Sequence, residues 1–100
     1  MFEITKMLTL STAHITEETA KRLEKDPDDN NLGLSVYSKS NFGFFIYFRD
    51  IDGNLPKEYT NDDFPEDLYK CILLAHELGC EILCLDCDGE ETELLEKYDW

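Results

Sequence analysis

The chain has 100 residues, 42% of them apolar and 12% aromatic, and a formal charge of -14. Those proportions suffice for one modest hydrophobic core, leave no room for a second within these residues, and exclude a disordered chain, which needs low hydrophobicity as well as high charge. Residues 1–50 hold eight acidic and six basic side chains and residues 51–100 fifteen and three, so the field of the second half attracts cationic surfaces and repels nucleic acid, phosphate and anionic membrane.

The elements follow in chain order. Met7-Leu8-Thr9-Leu10-Ser11-Thr12 combines β-branched and apolar residues and is expected to form a first strand. Thr16 offers an N-cap with Glu17 and Glu18 behind it, favourably placed against a helix dipole, and Ile15, Thr19, Ala20 and Leu23 trace a narrow apolar stripe. A helix is expected there, stopped by the turn formers from Asp26 to Asn31. Leu34 to Ser38 and Phe42 to Arg49 form a strand pair split by the tight-turn segment Lys39-Ser40-Asn41. A polar loop runs from Asp50 to Asp63. A second helix has Pro65 near its first position, Glu66 and Asp67 in its first turn and Gly79 past its end, with Leu68, Cys71, Ile72, Ala75 and Leu78 on one face. Ile82-Leu83-Cys84-Leu85-Asp86 barely alternates, as a strand buried on both faces does. The acidic tail after Gly89 is expected to be a short helix or an extended arm.

The order β-α-β-β-α-β makes the chain α+β, a single domain over residues 1–100 with residues 90–100 as a C-terminal arm. Ferredoxin-like folds have this order, with two helices on one face of a four-stranded antiparallel sheet. The alternative is a small α/β sheet whose first and last strands are parallel neighbours. No apolar stretch is long enough to span a bilayer, and the N-terminus lacks the basic and apolar regions of a signal peptide, so the cytoplasm is expected. Cys71, Cys80, Cys84 and Cys87 fall within apolar runs rather than in a framework of staples, which suits small core hydrophobes in a reducing compartment.

Three patterns resemble chemistry. Leu83-Cys84-Leu85-Asp86-Cys87-Asp88-Gly89 resembles the first motif of haloacid-dehalogenase-type phosphatases, in which one carboxylate attacks phosphorus beside a magnesium ion. That mechanism needs a large Rossmann-like body with basic residues after the strand. Only 11 residues follow here and they add negative charge, so a structural glycine turn explains the segment better. The spacing of Cys80, Cys84 and Cys87 resembles that of radical enzymes holding an iron–sulfur cluster. With Cys84 in mid-strand, Cys84 and Cys87 are expected on opposite faces, so neither that cluster nor a zinc site is expected, and no cofactor is assigned. His14, at a strand-to-helix junction, suits a general base or a ligand, and equally a group that satisfies backbone at the helix start. In the ferredoxin-like arrangement it is expected to be kept from Asp86 and Asp88; in the alternative the three can meet.

The hairpin is expected to show Phe42, Phe44, Ile46 and Phe48 on one face and Phe45, Tyr47 and Arg49 on the other, with Tyr37 opposite. An open sheet face with an aromatic strip is how RNA-recognition modules stack bases, but those modules need basic surroundings, which are missing here. The strip suits burial against another protein or a second copy of the chain. The plain alternative is cover by loops or by the tail that ends at Trp100.

Ser11-Thr12-Ala13-His14-Ile15-Thr16-Glu17-Glu18-Thr19, the Asp86-Cys87-Asp88-Gly89 turn and the closing Tyr98-Asp99-Trp100 resemble an uncharacterised family of small proteins from bacterial plasmids and phages. The family brings no activity; the resemblance implies a mobile-element setting, in which small acidic proteins often act against host defence or restriction systems. The first expectation is therefore an inhibitor or modulator that binds a basic, nucleic-acid-binding protein surface, without binding nucleic acid or membrane itself. Asp62, Asp63, Glu66, Asp67, Glu90, Glu91 and Glu93 are its candidate acids and Tyr37, Phe45 and Tyr47 its candidate anchors. The bland rival is that these acids only solvate the surface. A second expectation is a small metal-dependent or acid–base enzyme using His14, Asp86 and Asp88, and a third is a subunit of a homodimer or larger assembly.

Overall fold

The computed structural model describes residues 4–24, 34–38, 43–48, 52–60 and 64–99. Strand β1 (Met7–Ser11) leads through a short 3-10 turn (Thr12–His14) into helix α1 (Glu17–Glu24). Strands β2 (Ser35–Ser38) and β3 (Gly43–Tyr47) follow, then helix α2 (Glu66–Glu77) and strand β4 (Ile82–Asp86). The expected α+β order is thus present. The turn segments read at 26–31 and 39–41, and Phe42 and Arg49, lie outside the described residues.

The sheet order is β1-β4-β3-β2. β2 and β3 form the expected antiparallel hairpin, β3 is antiparallel to β4, and β4 is parallel to β1 with Ser11 opposite Asp86. The sheet is therefore mixed. Of the two arrangements open to the sequence, this is the one in which the first and last strands are parallel neighbours. β4 explains it: Leu83, Cys84 and Leu85 are fully buried in succession, which a central strand with a neighbour on each side provides.

Both helices pack on one face. Leu10, Val36, Phe44, Ile46, Leu83 and Leu85 of the sheet meet Ala20 and Leu23 of α1 and Leu68, Cys71, Ile72 and Ala75 of α2 in a single core. Tyr59 and Phe64 close one side with their rings 5.1 Å apart. Tyr59, within a stretch that reads as polar loop, is among the most deeply buried side chains.

Local chemistry fixes the helix ends. Thr16 caps α1 through its hydroxyl, which accepts the Thr19 N–H at 3.2 Å. Pro65 precedes the first turn of α2, and Gly79 (φ 78°) follows its C-cap, where a left-handed residue ends a helix at little cost. Beyond β4 the chain makes a turn and continues as a non-helical arm. Backbone bonds tie both ends of the arm to the body: Ser11 N–H donates to the Glu90 carbonyl (2.8 Å), and Tyr98 N–H donates to that of Ala13 (2.7 Å).

Candidate functional site

Parallel pairing of β1 with β4 brings the turn after β1 and the turn after β4 to the same end of the sheet, where His14 and Asp86 to Asp88 lie. The imidazole of His14 is 2% exposed. Its Nε2 accepts the Thr92 N–H at 3.0 Å, and its Nδ1 bonds the Glu96 carbonyl oxygen at 2.8 Å. A carbonyl only accepts and an amide N–H only donates, so the ring is neutral with its proton on Nδ1. Both nitrogens are occupied by arm backbone, and neither is left for a metal or a substrate proton. His14 thus satisfies backbone, that of the arm rather than of the helix start. His76 serves likewise, with Nε2 bonded to the Gly53 carbonyl (3.1 Å).

Asp86 folds back on its own turn: its Oδ1 accepts the Asp88 N–H (2.8 Å), and Gly89 N–H donates to its carbonyl (2.9 Å). The ligand atoms of Asp86, Cys87 and Asp88 lie within 4.8 Å of one another. They are three consecutive residues at the end of β4 and its following turn, with Cys87 and Asp88 exposed. All four cysteines are free thiols; Cys71, Cys80 and Cys84 are buried and Cys87 is exposed. Burial, and then the nearby Asp67 carboxylate, push the Cys71 thiol up to about 12, so it stays protonated and donates weakly to the His14 carbonyl (3.8 Å).

The candidate acids divide by role. Asp67 is engaged inside the fold, where its Oδ2 accepts the Thr16 N–H (2.8 Å) and its Oδ1 the Thr19 hydroxyl (3.0 Å). It joins the first turns of the two helices beside an open pocket of about 380 Å³ lined by Thr16, Glu18, Arg22, Phe64 and Glu66. Glu66 is exposed and pairs loosely with Lys70 (3.7 Å). On the arm Glu90 is exposed, while Glu91 and Glu93 share Lys97 at 3.6 and 3.3 Å. The hydrogen bond that Lys97 donates to the Glu93 carboxylate raises its ammonium above the ordinary lysine range. Burial, with the Glu96 hydrogen bond, raises the Tyr98 phenol. Asp62 and Asp63, and Trp100, lie outside the described residues.

The candidate anchors share one surface. Strand register places Met7, Thr9, Ile82, Cys84, Phe45, Tyr47, Ser35 and Tyr37 on the sheet face away from the helices. Cys84 is fully buried at its centre and Phe45 is half-buried, whereas Tyr37 and Tyr47 are 58% and 46% exposed. Their rings meet edge to face at 5.4 Å, an arrangement that holds both in fixed orientations. The pairing of Tyr37 with Tyr47 was legible once alternation was applied to the hairpin; Met7 and Ile82 join the same face only through the strand order.

A protein-family profile matches residues 7–100: the C-terminal domain of a family of unknown function, DUF5983. The chain belongs to that family. The DUF5983 match begins at the first residue of β1 and covers the sheet, both helices and the arm, so the His14 contacts and the open face lie within the family's domain. No curated protein and no solved structure matches the chain.

Proposed function

We propose that this domain is an acidic protein-interaction module that docks on a basic protein surface, of the kind nucleic-acid-binding proteins present, and acts there as an inhibitor or modulator. The observation that carries the proposal is the open sheet face. In a chain with 32% charged residues, the described strand residues of this face, Met7, Thr9, Ile82, Phe45, Tyr47, Ser35 and Tyr37, include no charged side chain before Asp86 at the rim. A solvated sheet face ordinarily carries polar and charged residues, and exposed tyrosines in a charge-poor surface are the composition of an interface centre.

Charge then selects the partner. A net charge of -14 repels nucleic acid and opposes pairing with a second copy, while it attracts a basic surface from a distance. The plasmid and phage setting implied by the motif resemblance points to a host defence or DNA-processing protein as that partner.

The test is a tagged pull-down from bacterial lysate at low and high salt, with proteins and nucleic acids identified, beside a Tyr37→Ala/Tyr47→Ala variant. Salt-sensitive capture of a basic protein by the wild type, lost in the variant, supports the proposal. Capture that ignores the variant, direct capture of nucleic acid, or a stable symmetric dimer closed over the tyrosines overturns it.

A further inference from the structure

His14 is the main link between the arm and the body. Four hydrogen bonds tie residues 90–99 to the segment from Ser11 to His14, and two of them run through the one imidazole. The other two lie at the arm's ends, at Glu90, where the chain has just left β4, and at Tyr98. Between them the arm's side chains add little, since Glu91, Glu93, Leu94, Glu96 and Lys97 are exposed and only Leu95 packs against the core.

The geometry demands a neutral ring. Once Nε2 carries a proton, two N–H groups face each other across the 3.0 Å that now separates Thr92 nitrogen from Nε2, and an attraction becomes a repulsion. We propose that residues 90–99 form an acid-sensitive strap, latched by neutral His14 and released from Thr92 to Tyr98 when the imidazole is protonated. Release parts Leu94 and Leu95 from Leu73 and Leu74 of α2, with which they line an open groove of about 310 Å³ in the latched form. The proposal stands independently of the partner reading above.

The elements packed against His14 are α2 and the arm. From α2 come Cys71, which bonds the His14 carbonyl, and Asp67, which bonds the next residue but one. From the arm come Glu96 and Tyr98. The Cys71 thiol and Tyr98 phenol are held protonated by burial, so acid leaves them unchanged. The Asp67 and Glu96 carboxylates attract a cationic ring, whereas the Thr92 N–H repels it; Asp67 also holds the start of α1 through Thr16 and Thr19, so its variant separates that cap from the latch.

The experiment follows the imidazole nitrogens and amide-exchange protection by nitrogen-15 NMR from pH 8 to pH 5, in the wild type, His14→Gln and Asp67→Asn. Glutamine keeps one donor and one acceptor but does not titrate. The expected result is an Nδ1–H tautomer at high pH. Thr92 and Tyr98 protection should then fall by about tenfold or more, the equivalent of one lost hydrogen bond, in step with ring protonation while Leu83 and Leu85 stay protected. That step should persist in Asp67→Asn and vanish in His14→Gln. Should His14→Gln fail to fold, the wild-type ring and amide titrations decide alone. An Nε2–H tautomer, ring protonation without loss at Thr92, or loss at Thr92 together with Leu83 would overturn the strap.

Discussion

A carboxylate in the first turn of a helix reads from sequence as solvated charge, yet Asp67 gives both oxygens to the neighbouring helix. Asp67→Ala removes the acceptor of the Thr16 N–H and of the Thr19 hydroxyl proton, leaving the Thr19 oxygen only its bond from the Thr16 hydroxyl (3.1 Å), and loss of such a cap costs about 1–2 kcal/mol. Glu66, one residue earlier and exposed, offers the control: Glu66→Ala should stay within about 0.5 kcal/mol. Urea unfolding of the two variants tests the contrast; equal effects would mean that Asp67 is ordinary surface charge. Cys71 gives a pH prediction. Its folded pKa, about 12, lies above the ordinary 9.0, so its contribution is fully present below pH 9 and is lost as pH rises from there toward 12. Alkaline destabilisation should therefore be shallower in Cys71→Ala than in the wild type, measured as unfolding free energy between pH 8 and pH 11. Thiol labelling of the native protein should reach Cys87 first and Cys71, Cys80 and Cys84 only on unfolding, since burial withholds access.

The turn after β4 is the element that sets the arm on its path. A side chain at Gly89 would place its Cβ 2.5 Å from the Leu10 carbonyl oxygen and 2.9 Å from the Ser11 nitrogen, both of them backbone that cannot step aside. Gly89→Ala should therefore cost about 2 kcal/mol or more and, by displacing the turn from β1, weaken the Ser11–Glu90 bond; amide protection at Ser11 reports the second effect directly. The sequence pattern that makes this glycine a turn former conceals its reason, which is close approach to a strand almost eighty residues earlier. The same division runs through the fold. Thr16, Pro65 and Gly79 mark helix ends by chemistry within a turn of themselves, and the unbroken apolar run of β4 reports burial on both faces, so these elements could be read directly. Strand order depends on pairing between distant segments, and alternation within a strand says nothing of its neighbours. That is why the sequence left open both a ferredoxin-like sheet and a sheet whose first and last strands are parallel neighbours. Tyr59 stood concealed among polar residues. His14 was visible as a residue of interest, but its role depends on Thr92 and Glu96, and the tail's sequence does not announce that it returns to β1.

At the scale of the whole molecule, charge and the open face should act on different kinetic steps of partner binding. Long-range attraction acts before contact, so it governs association and is screened by salt over a Debye length of about 8 Å at physiological ionic strength. Desolvated aromatic groups act only after contact, so they govern dissociation. Against the basic partner identified by pull-down, Tyr37→Ala/Tyr47→Ala should weaken Kd by about 10–100-fold through a faster off-rate, as for the loss of interface anchors, with an unchanged salt dependence. Glu90→Gln/Glu91→Gln/Glu93→Gln should slow association and flatten its dependence on salt, leaving the off-rate nearly as it was. Lys97 supplies the opposite sign. It partly neutralises Glu91 and Glu93 through its two ion pairs, so Lys97→Gln makes the arm more negative and should speed association at low salt. Both changes leave the sheet untouched, and surface-plasmon kinetics at two salt concentrations separate them. If the glutamate and lysine variants both bind as the wild type does, the acids of the arm merely solvate it and steering must come from another part of the surface. If the tyrosine variant alters association instead of dissociation, the open face is not where the partner finally rests.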